Sequence, residues 1–347
     1  MKCVVGMSGG VDSSTTAALM KEKGYEVVGC TFKMFESTKS RAAIDNARRV
    51  ADYLQIDHEV LDCIAEFKKF VMDYFIESYE VGITPNPCVM CNKFIKFKYL
   101  DDFRIKYNAD ALATGHYVQL RKSGGRVELF QAAERKKDQS YFLYGVDREI
   151  LKLAEFPLGG HSKIRTRELA RRFGIHVAEQ PESQDICFLA EGDYASFIKH
   201  YSARSFVVGD IVDIHGNIVG KHPGTINYTI GQRKGLGLSG GPFFVCGIDV
   251  DRNRVIISDK NGVGVDKILL EDVKFLNEEY LGNCEVKIRS ISPKNPAKIV
   301  KNDGEYSVEL ESPEYGVASG QHCVFYAGEM LLGGGLIKAA IIKDSFA

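Results

Sequence analysis

Three stretches of this sequence bring together residue types and spacings that can do chemistry. The first is Gly6-Met7-Ser8-Gly9-Gly10-Val11-Asp12-Ser13. It follows a short apolar run, Lys2–Val5, and opens a helical stretch, Ser14–Lys23, that closes at Gly24. A loop of small residues and hydroxyls entering a helix N-terminus is an anion site, because free backbone N–H groups and the helix dipole both favour negative charge. Gly9 and Gly10 clear the approach, and Ser8 and Ser13 add hydroxyl donors. Asp12 is tolerated beside phosphate if it holds Mg²⁺ or caps the helix. No G-K-S/T follows, so the stretch is not a Walker loop, and it is not G-x-G-x-x-G.

The second stretch, Thr84-Pro85-Asn86-Pro87-Cys88-Val89-Met90-Cys91-Asn92-Lys93, sets a C-x-x-C pair after a loop stiffened by two prolines. Lys93, Lys96 and Lys98 follow, and nearby cations lower thiol pKa. The third is Ser183-Gln184-Asp185-Ile186-Cys187-Phe188. A single C-x-x-C can be half of a zinc site, a redox pair or two buried thiols. The sequence holds no second C-x-x-C and no H-x-x-H to complete a zinc site. Cys3, Cys30, Cys63, Cys246, Cys284 and Cys323 sit in apolar or strand-like contexts and read as core.

The elements that must position these residues alternate as far as residue 195. Strands are expected at Lys2–Val5, Glu26–Thr31, His58–Leu61 and Ala111–Thr114, with helices over 41–54, 65–79 and 95–107 between them. That order predicts a doubly wound parallel α/β sheet, in which ligands bind at the carboxyl ends of strands. Ser8–Ser13 and Thr114–Tyr117 both fall at such ends. Beyond residue 200, short strands recur between Gly, Asn and Asp, including Ile226–Ile230, and predict two small all-β barrel-like units. The expected divisions are 1–200, 201–265 and 266–347.

Composition narrows the classes. Hydrophobic content of 45% and charged content of 26% are those of a globular protein of two or three domains. No apolar run reaches the ~20 residues of a membrane span, and the N-terminus enters a strand at once, which predicts a cytoplasmic protein without a leader. Nine scattered cysteines suit a reducing compartment. A net charge of −1 means that any RNA contact depends on local basic patches. Candidates are Lys93/Lys96/Lys98, Arg135/Lys136/Lys137, Arg165/Arg167/Arg171/Arg172 and Arg233/Lys234.

S-G-G-x-D-S after a first strand resembles the PP-loop of the ATP pyrophosphatases, which release pyrophosphate and transfer AMP. Seven segments together carry a closer resemblance: Gly6–Ser14, Thr84–Phe97, Ala113–Tyr117 (A-T-G-H-Y), Lys137–Leu143 (K-D-Q-S-Y-F-L), Ser183–Phe188, Tyr228–Gly237 (Y-T-I-G-Q-R-K-G-L-G) and Gly320–Tyr326 with Leu332–Ile337. In this order they resemble the tRNA-specific 2-thiouridylases, the MnmA family, over nearly the whole chain. The resemblance implies an enzyme that uses ATP to replace O2 of the wobble uridine of certain tRNAs with sulfur. Gly6, Met7, Ser8, Gly9, Gly10, Val11, Asp12 and Ser13 would hold the phosphates with Mg²⁺, the backbone around Phe32 the adenine, and Gly115 the other side of the nucleotide. Cys187 would carry a persulfide received from a sulfur-donor protein, with Cys91 its partner. Asn86, Pro87 and Cys88 would border the flipped uridine. His116, Lys137, Asp138, Gln139, Arg289, Ser290 and Gln321 would touch the tRNA.

One departure bears on mechanism. The family usually has Asp where this chain has Cys88. The change makes Cys88, Cys91 and Cys187 a three-cysteine set, which could resolve a disulfide or hold a [4Fe–4S] cluster as in related thiolases. The stretch Met34–Ser40 is also shorter than expected. Two other readings stand beside the thiolase: a different ATP pyrophosphatase, such as an amide-forming synthetase, and a non-enzymatic ATP- or RNA-binding module. Both leave Cys91 and Cys187 without a task.

Overall fold

A computed structural model describes residues 1–181, 186–189 and 194–342. β1 (Lys2–Gly6), β2 (Glu26–Lys33) and β3 (Asp57–Asp62) alternate with α1 (Val11–Glu22) and α2 (Thr38–Leu54), and β4 (Ala111–Ala113) follows a long helical stretch. A hairpin, β5 (Val118–Ser123) and β6 (Arg126–Gln131), precedes the short β7 (Ala154–Glu155). β1–β4 and β7 form one parallel sheet in the order β3-β2-β1-β4-β7. The chain reverses direction across the sheet beside β1, so the ends of β1 and β4 open onto a crevice. Helices cover both faces: Ala47, Val50 and Leu54 of α2 pack on Val5 and Val27, while Leu100 and Phe103 pack on Val4 and Leu112.

A second sheet runs β10-β11-β8-β9, built from β8 (Gly209–Asp213), β9 (Ile218–His222), β10 (Phe244–Asp249) and β11 (Arg254–Ser258). The expected strand over 226–230 is absent. Thr225–Asn227 forms a 3₁₀ turn, closed by Asn227 Nδ2 donating 2.8 Å to the Gly224 carbonyl. The remaining strands are β12 (Gly264–Phe275), β13 (Gly282–Lys287), β14 (Asn295–Asn302), β15 (Glu305–Tyr315), β16 (His322–Ala327) and β17 (Met330–Ile342). They run β12-β15-β14-β13-β16-β17, and β17 pairs back onto β12, closing a six-stranded barrel. Among the described residues no helix is long and apolar enough to cross a membrane.

The hairpin β5–β6 was not evident in the sequence pattern. It joins the barrel through the pair Met330–Phe130, so residues from the first half of the chain extend the last sheet. Val324, Tyr326 and Leu331 of the barrel share one core cluster with Leu112, Leu129, Tyr141 and Tyr144. Tyr141 Oη donates to the His322 carbonyl at 2.9 Å, and Ser140 Oγ lies 3.1 Å from Tyr326 Oη.

His322 makes this junction sensitive to acid. It is 3% exposed, its Nδ1 pairs with Tyr144 Oη at 2.7 Å, and its Nε2 has no partner among the described residues. Burial, helped by the charge of Lys93, lowers its pKa from 6.5 to about 3. The folded form therefore stays neutral while the unfolded chain takes up a proton below pH 6.5. Stability from this group is intact above pH 6.5 and declines as pH falls toward 3, by up to about 1.4 kcal/mol per pH unit. A His322→Gln variant should lose stability less steeply than wild type in urea melts between pH 6.5 and 5. An identical slope would remove His322 as the titrating group.

Candidate functional site

The phosphate loop sits where β1 delivers it. Met7 N–H stays in the sheet, donating 2.7 Å to the Cys30 carbonyl, and the chain then turns into α1. Gly9 has φ +72°, and a Cβ there would lie 2.2 Å from the Ala43 carbonyl oxygen, so a side chain does not fit. Ser8 N–H donates 3.0 Å to Ser13 Oγ, whose hydroxyl donates 3.2 Å to the Gly10 carbonyl. These bonds fold the loop into a cradle. Gly10 is the N-cap of α1 and supplies no side-chain cap, so the first-turn N–H groups remain available to an anion. Gly115 closes the other side: a Cβ on it would stand 2.9 Å from the Ser13 nitrogen. The Phe32 ring packs over Gly6, within 3.4 Å of where a Cβ would be.

Asp12 behaves differently from the expectation that it holds Mg²⁺ or caps the helix. Lys163 Nζ donates to both of its carboxylate oxygens at 2.7 Å, and Tyr117 Oη donates to one of them at 2.8 Å. The negative charge is thus met by an ammonium that is almost wholly buried. Lys163 is the first residue of the helix Lys163–Arg172, whose N-cap is Ser162. Sequence reading missed it, because a single lysine ahead of Arg165, Arg167, Arg171 and Arg172 looks like part of an exposed basic face. Those arginines are in fact occupied: Arg165 pairs with Glu168, Arg171 with Glu179 and Arg172 with Glu22, while Arg167 donates to the Ala178 and Gln180 carbonyls.

The C-x-x-C pair starts a helical run. Asn86 caps the helix Pro87–Cys91, its Oδ1 accepting from Val89 N–H at 3.4 Å, and Pro87 fills the first position. The helix passes through one π turn, Asn92–Lys96, before continuing over Phe97–Lys106. A π turn has about 4.4 residues, so it rotates Lys96 back toward the face of Cys91, where a regular helix would have turned it away. Cys91 is buried and its Sγ lies 3.8 Å from Met34 Sδ, just beyond Phe32. Cys88 and Cys187 are exposed. Phe188 anchors Cys187 from the other side, packing edge-on against Phe67 at 5.7 Å and Phe75 at 5.4 Å. Ser183, Gln184 and Asp185 of the same motif lie outside the described residues.

Electrostatics tie these thiols together. Lys96 interacts with Cys91, Cys187 and Cys88, and no carboxylate among the described residues forms an ion pair with it. Burial opposes its charge, yet the three sulfurs outweigh burial and hold its pKa above the ordinary value. Burial works against the expected thiolates. Burial pushes Cys91 up to about 12 and also raises Cys88 and Cys187, and in each case it exceeds the lowering effect of Lys96.

His116 joins the two halves of the site. It follows Gly115, its Nδ1 pairs with Thr114 Oγ1 at 2.7 Å, and its ring stacks on Phe97 at 5.7 Å. Burial and the charge of Lys96 hold its pKa at about 3, so it is neutral. Among the described residues no group of three Cys, His, Asp or Glu side chains is placed to hold a metal ion. As they stand, the three cysteines do not fit a [4Fe–4S] cluster, and Asp12, already bound by Lys163, does not offer a free carboxylate to Mg²⁺.

The remaining candidates lie in two places. Asp138 accepts from Ala132 N–H at 3.0 Å and Ser140 Oγ at 2.9 Å, and Gln139 Oε1 accepts from Tyr117 N–H at 2.9 Å. Both brace the turn that includes Lys137. Arg289 donates to the Gly316 carbonyl, Ser290 supplies its carbonyl to Lys287, and Gln321 Nε2 donates to the Thr84 and Pro85 carbonyls at 3.1 and 3.0 Å.

Comparison with known proteins places this geometry. Three family models match in sequence: the tRNA methyl transferase HUP domain over residues 1–191, the tRNA methyl transferase PRC-barrel domain over 195–259, and the aminomethyltransferase beta-barrel domain over 265–337. The chain is 42% identical over 364 residues to a tRNA-specific 2-thiouridylase MnmA of Nitrobacter hamburgensis, covering 99% of this chain and 91% of that one. It is 42% identical to the protein of that name from Rhodopseudomonas palustris strain HaA2 over 361 residues, covering 98% and 91%. Among solved structures, the U34-tRNA thiolase NcsA from Methanococcus maripaludis with its [4Fe-4S] cluster is 18% identical. It covers 58% of this chain and 63% of that chain, with a TM-score of 0.37.

Proposed function

Since the chain belongs to the tRNA-specific 2-thiouridylase family, and is therefore an ATP-using tRNA 2-sulfurtransferase, we propose that it adenylates O2 of the wobble uridine and displaces AMP with a cysteine-borne sulfur. The observation that carries this reading is a shared boundary. Gly115 touches the phosphate loop while His116, the next residue, lies in the field of the thiol-side Lys96. On this reading a base activated on one side would meet sulfur on the other.

The urea-like C2 carbonyl is a poor electrophile. Its oxygen attacks the α-phosphate of ATP, pyrophosphate leaves, and O2 becomes part of a good leaving group. The loop Gly6–Ser13 would cradle the phosphates, the backbone around Phe32 would take the adenine, and Gly115 would close over the nucleotide. Mg²⁺ would arrive on the triphosphate, which supplies its oxygen ligands. Cys187 would carry a persulfide from a donor protein. The terminal sulfur attacks C2, and AMP departs with the original oxygen. Cys91 then attacks Cys187 Sγ, forming an S–S bond between the two cysteines and breaking the bond to the transferred sulfur. That sulfur gains two electrons from the thiol pair, and a thiol reductant resets the disulfide.

The uridine must leave its stack to reach this cleft, and an anticodon loop is already single-stranded. Asn86, Pro87 and Cys88 would border it, while His116, Lys137, Asp138, Gln139, Arg289, Ser290 and Gln321 would meet the RNA. We place the enzyme in the cytoplasm, beside its tRNA. The test is nucleoside mass spectrometry of tRNA incubated with the protein, ATP and a persulfide donor. Wobble 2-thiouridine should form with one AMP and one pyrophosphate each. Pyrophosphate release with no thiolated nucleoside, in the presence of donor and tRNA, would overturn the reading.

A further inference from the structure

The loop ahead of the cysteine helix is gripped by the barrel. Pro85 and Pro87 have no N–H to donate, so the segment must be fixed largely through its carbonyls. Those carbonyls are met from more than 230 residues away. Gln321 Nε2 donates to both the Thr84 and Pro85 oxygens, and Thr84 N–H donates 3.0 Å to the Ser319 carbonyl. Between these contacts stands Gly320, with φ +87°. A Cβ there would lie 2.2 Å from Ile83 Cγ2 and 2.9 Å from the Thr84 oxygen. The barrel turn and the loop are therefore in backbone contact. On its other flank, Gly82 lies against Ile248 and Val250 of β10 and the residue after it.

We propose that Gln321 is a positioning residue for sulfur transfer, its carboxamide holding the Thr84–Pro85 segment and through it the start of the helix that bears Cys88 and Cys91. The path is short. Pro85 precedes Asn86, whose side chain caps that helix, and Cys88 is its second residue. Releasing two carbonyl bonds frees the cap, and with it the wall assigned to the uridine. The inference rests on the functional reading above for the reaction it serves. It adds a role to a residue that otherwise reads as an RNA contact on a separate domain.

Gln321→Met keeps the length of the side chain and removes both donors, whereas Gln321→Lys keeps a donor. Both should be made in the full chain. In the protein alone, Gln321→Met should raise amide exchange over residues 82–92 and the iodoacetamide reactivity of Cys88 several-fold. It should lower the single-turnover thiolation rate at least 10-fold, and saturating tRNA should not restore it. Gln321→Lys should recover most of both. A weaker tRNA Kd with a wild-type saturated rate and unchanged exchange would make Gln321 an RNA contact only, and overturn the proposal. If wild type itself fails to thiolate, the exchange and alkylation results still decide the clamp, and only the functional reading falls.

Discussion

A Cys187→Ser enzyme should still adenylate tRNA and release pyrophosphate from ATP, yet leave AMP on the uridine and place no sulfur on it. The loss of 2-thiouridine should be at least ~10³-fold, since a hydroxyl cannot carry a sulfane sulfur and no neighbouring group replaces it in sequence. Folding should survive. Cys187 is exposed, and the anchor of its segment is Phe188 against Phe67 and Phe75, which the change leaves alone. The proposed activation uses the loop of Gly6–Ser13, so first-turnover pyrophosphate release by this variant should remain within a few-fold of wild type. Pyrophosphate release that vanishes while the thermal melt is unchanged would place Cys187 before or within activation.

Parts of this molecule could be read without coordinates because the cause was local. A phosphate cradle needs small residues at fixed positions, and Gly9 and Gly115 are there for steric reasons that substitution cannot satisfy. Strands β1, β2 and β4 are short apolar runs whose two faces are both covered, so they appear as largely hydrophobic stretches. The rest depended on distance in sequence. Lys163 reaches Asp12 across 151 positions, and nothing near either residue records the other. The hairpin over 118–131 packs against a barrel built from the last third of the chain, so its partners were invisible locally. The thiol prediction erred for a related reason. Counting lysines near Cys91 gives the sign of one effect, whereas burial, which only the assembled cleft supplies, sets the net direction. The barrel, too, is more than an appended RNA-binding unit. Removing residues from about 266 onward would take away core partners of Tyr141 and the grip on Thr84, so ATP-dependent steps should suffer along with tRNA binding.

The second large effect is expected at Lys163. Replacing it by Met leaves the Asp12 carboxylate with Tyr117 as its remaining side-chain partner among the described residues, and removes a positive charge from beside the proposed triphosphate site. Two consequences follow and can be separated. Stability should fall by about 2–3 kcal/mol, below the full cost of breaking a buried pair because Asp12 is one-third exposed and partly screened by water. Activation should fall further, with kcat/KM for ATP down roughly 10²-fold, as when one preorganised electrostatic donor is lost from a reaction that builds charge on phosphate. A double variant, Lys163→Met with Asp12→Asn, distinguishes the two. It removes the orphaned carboxylate, so stability should return to within about 1 kcal/mol of wild type. Activation should not return with it, because the cation is still missing. Urea melts and pyrophosphate release, measured on the same three proteins, give both numbers. Recovery of ATP turnover in the double variant would mean that Lys163 serves only to neutralise Asp12 and has no part of its own at the phosphates.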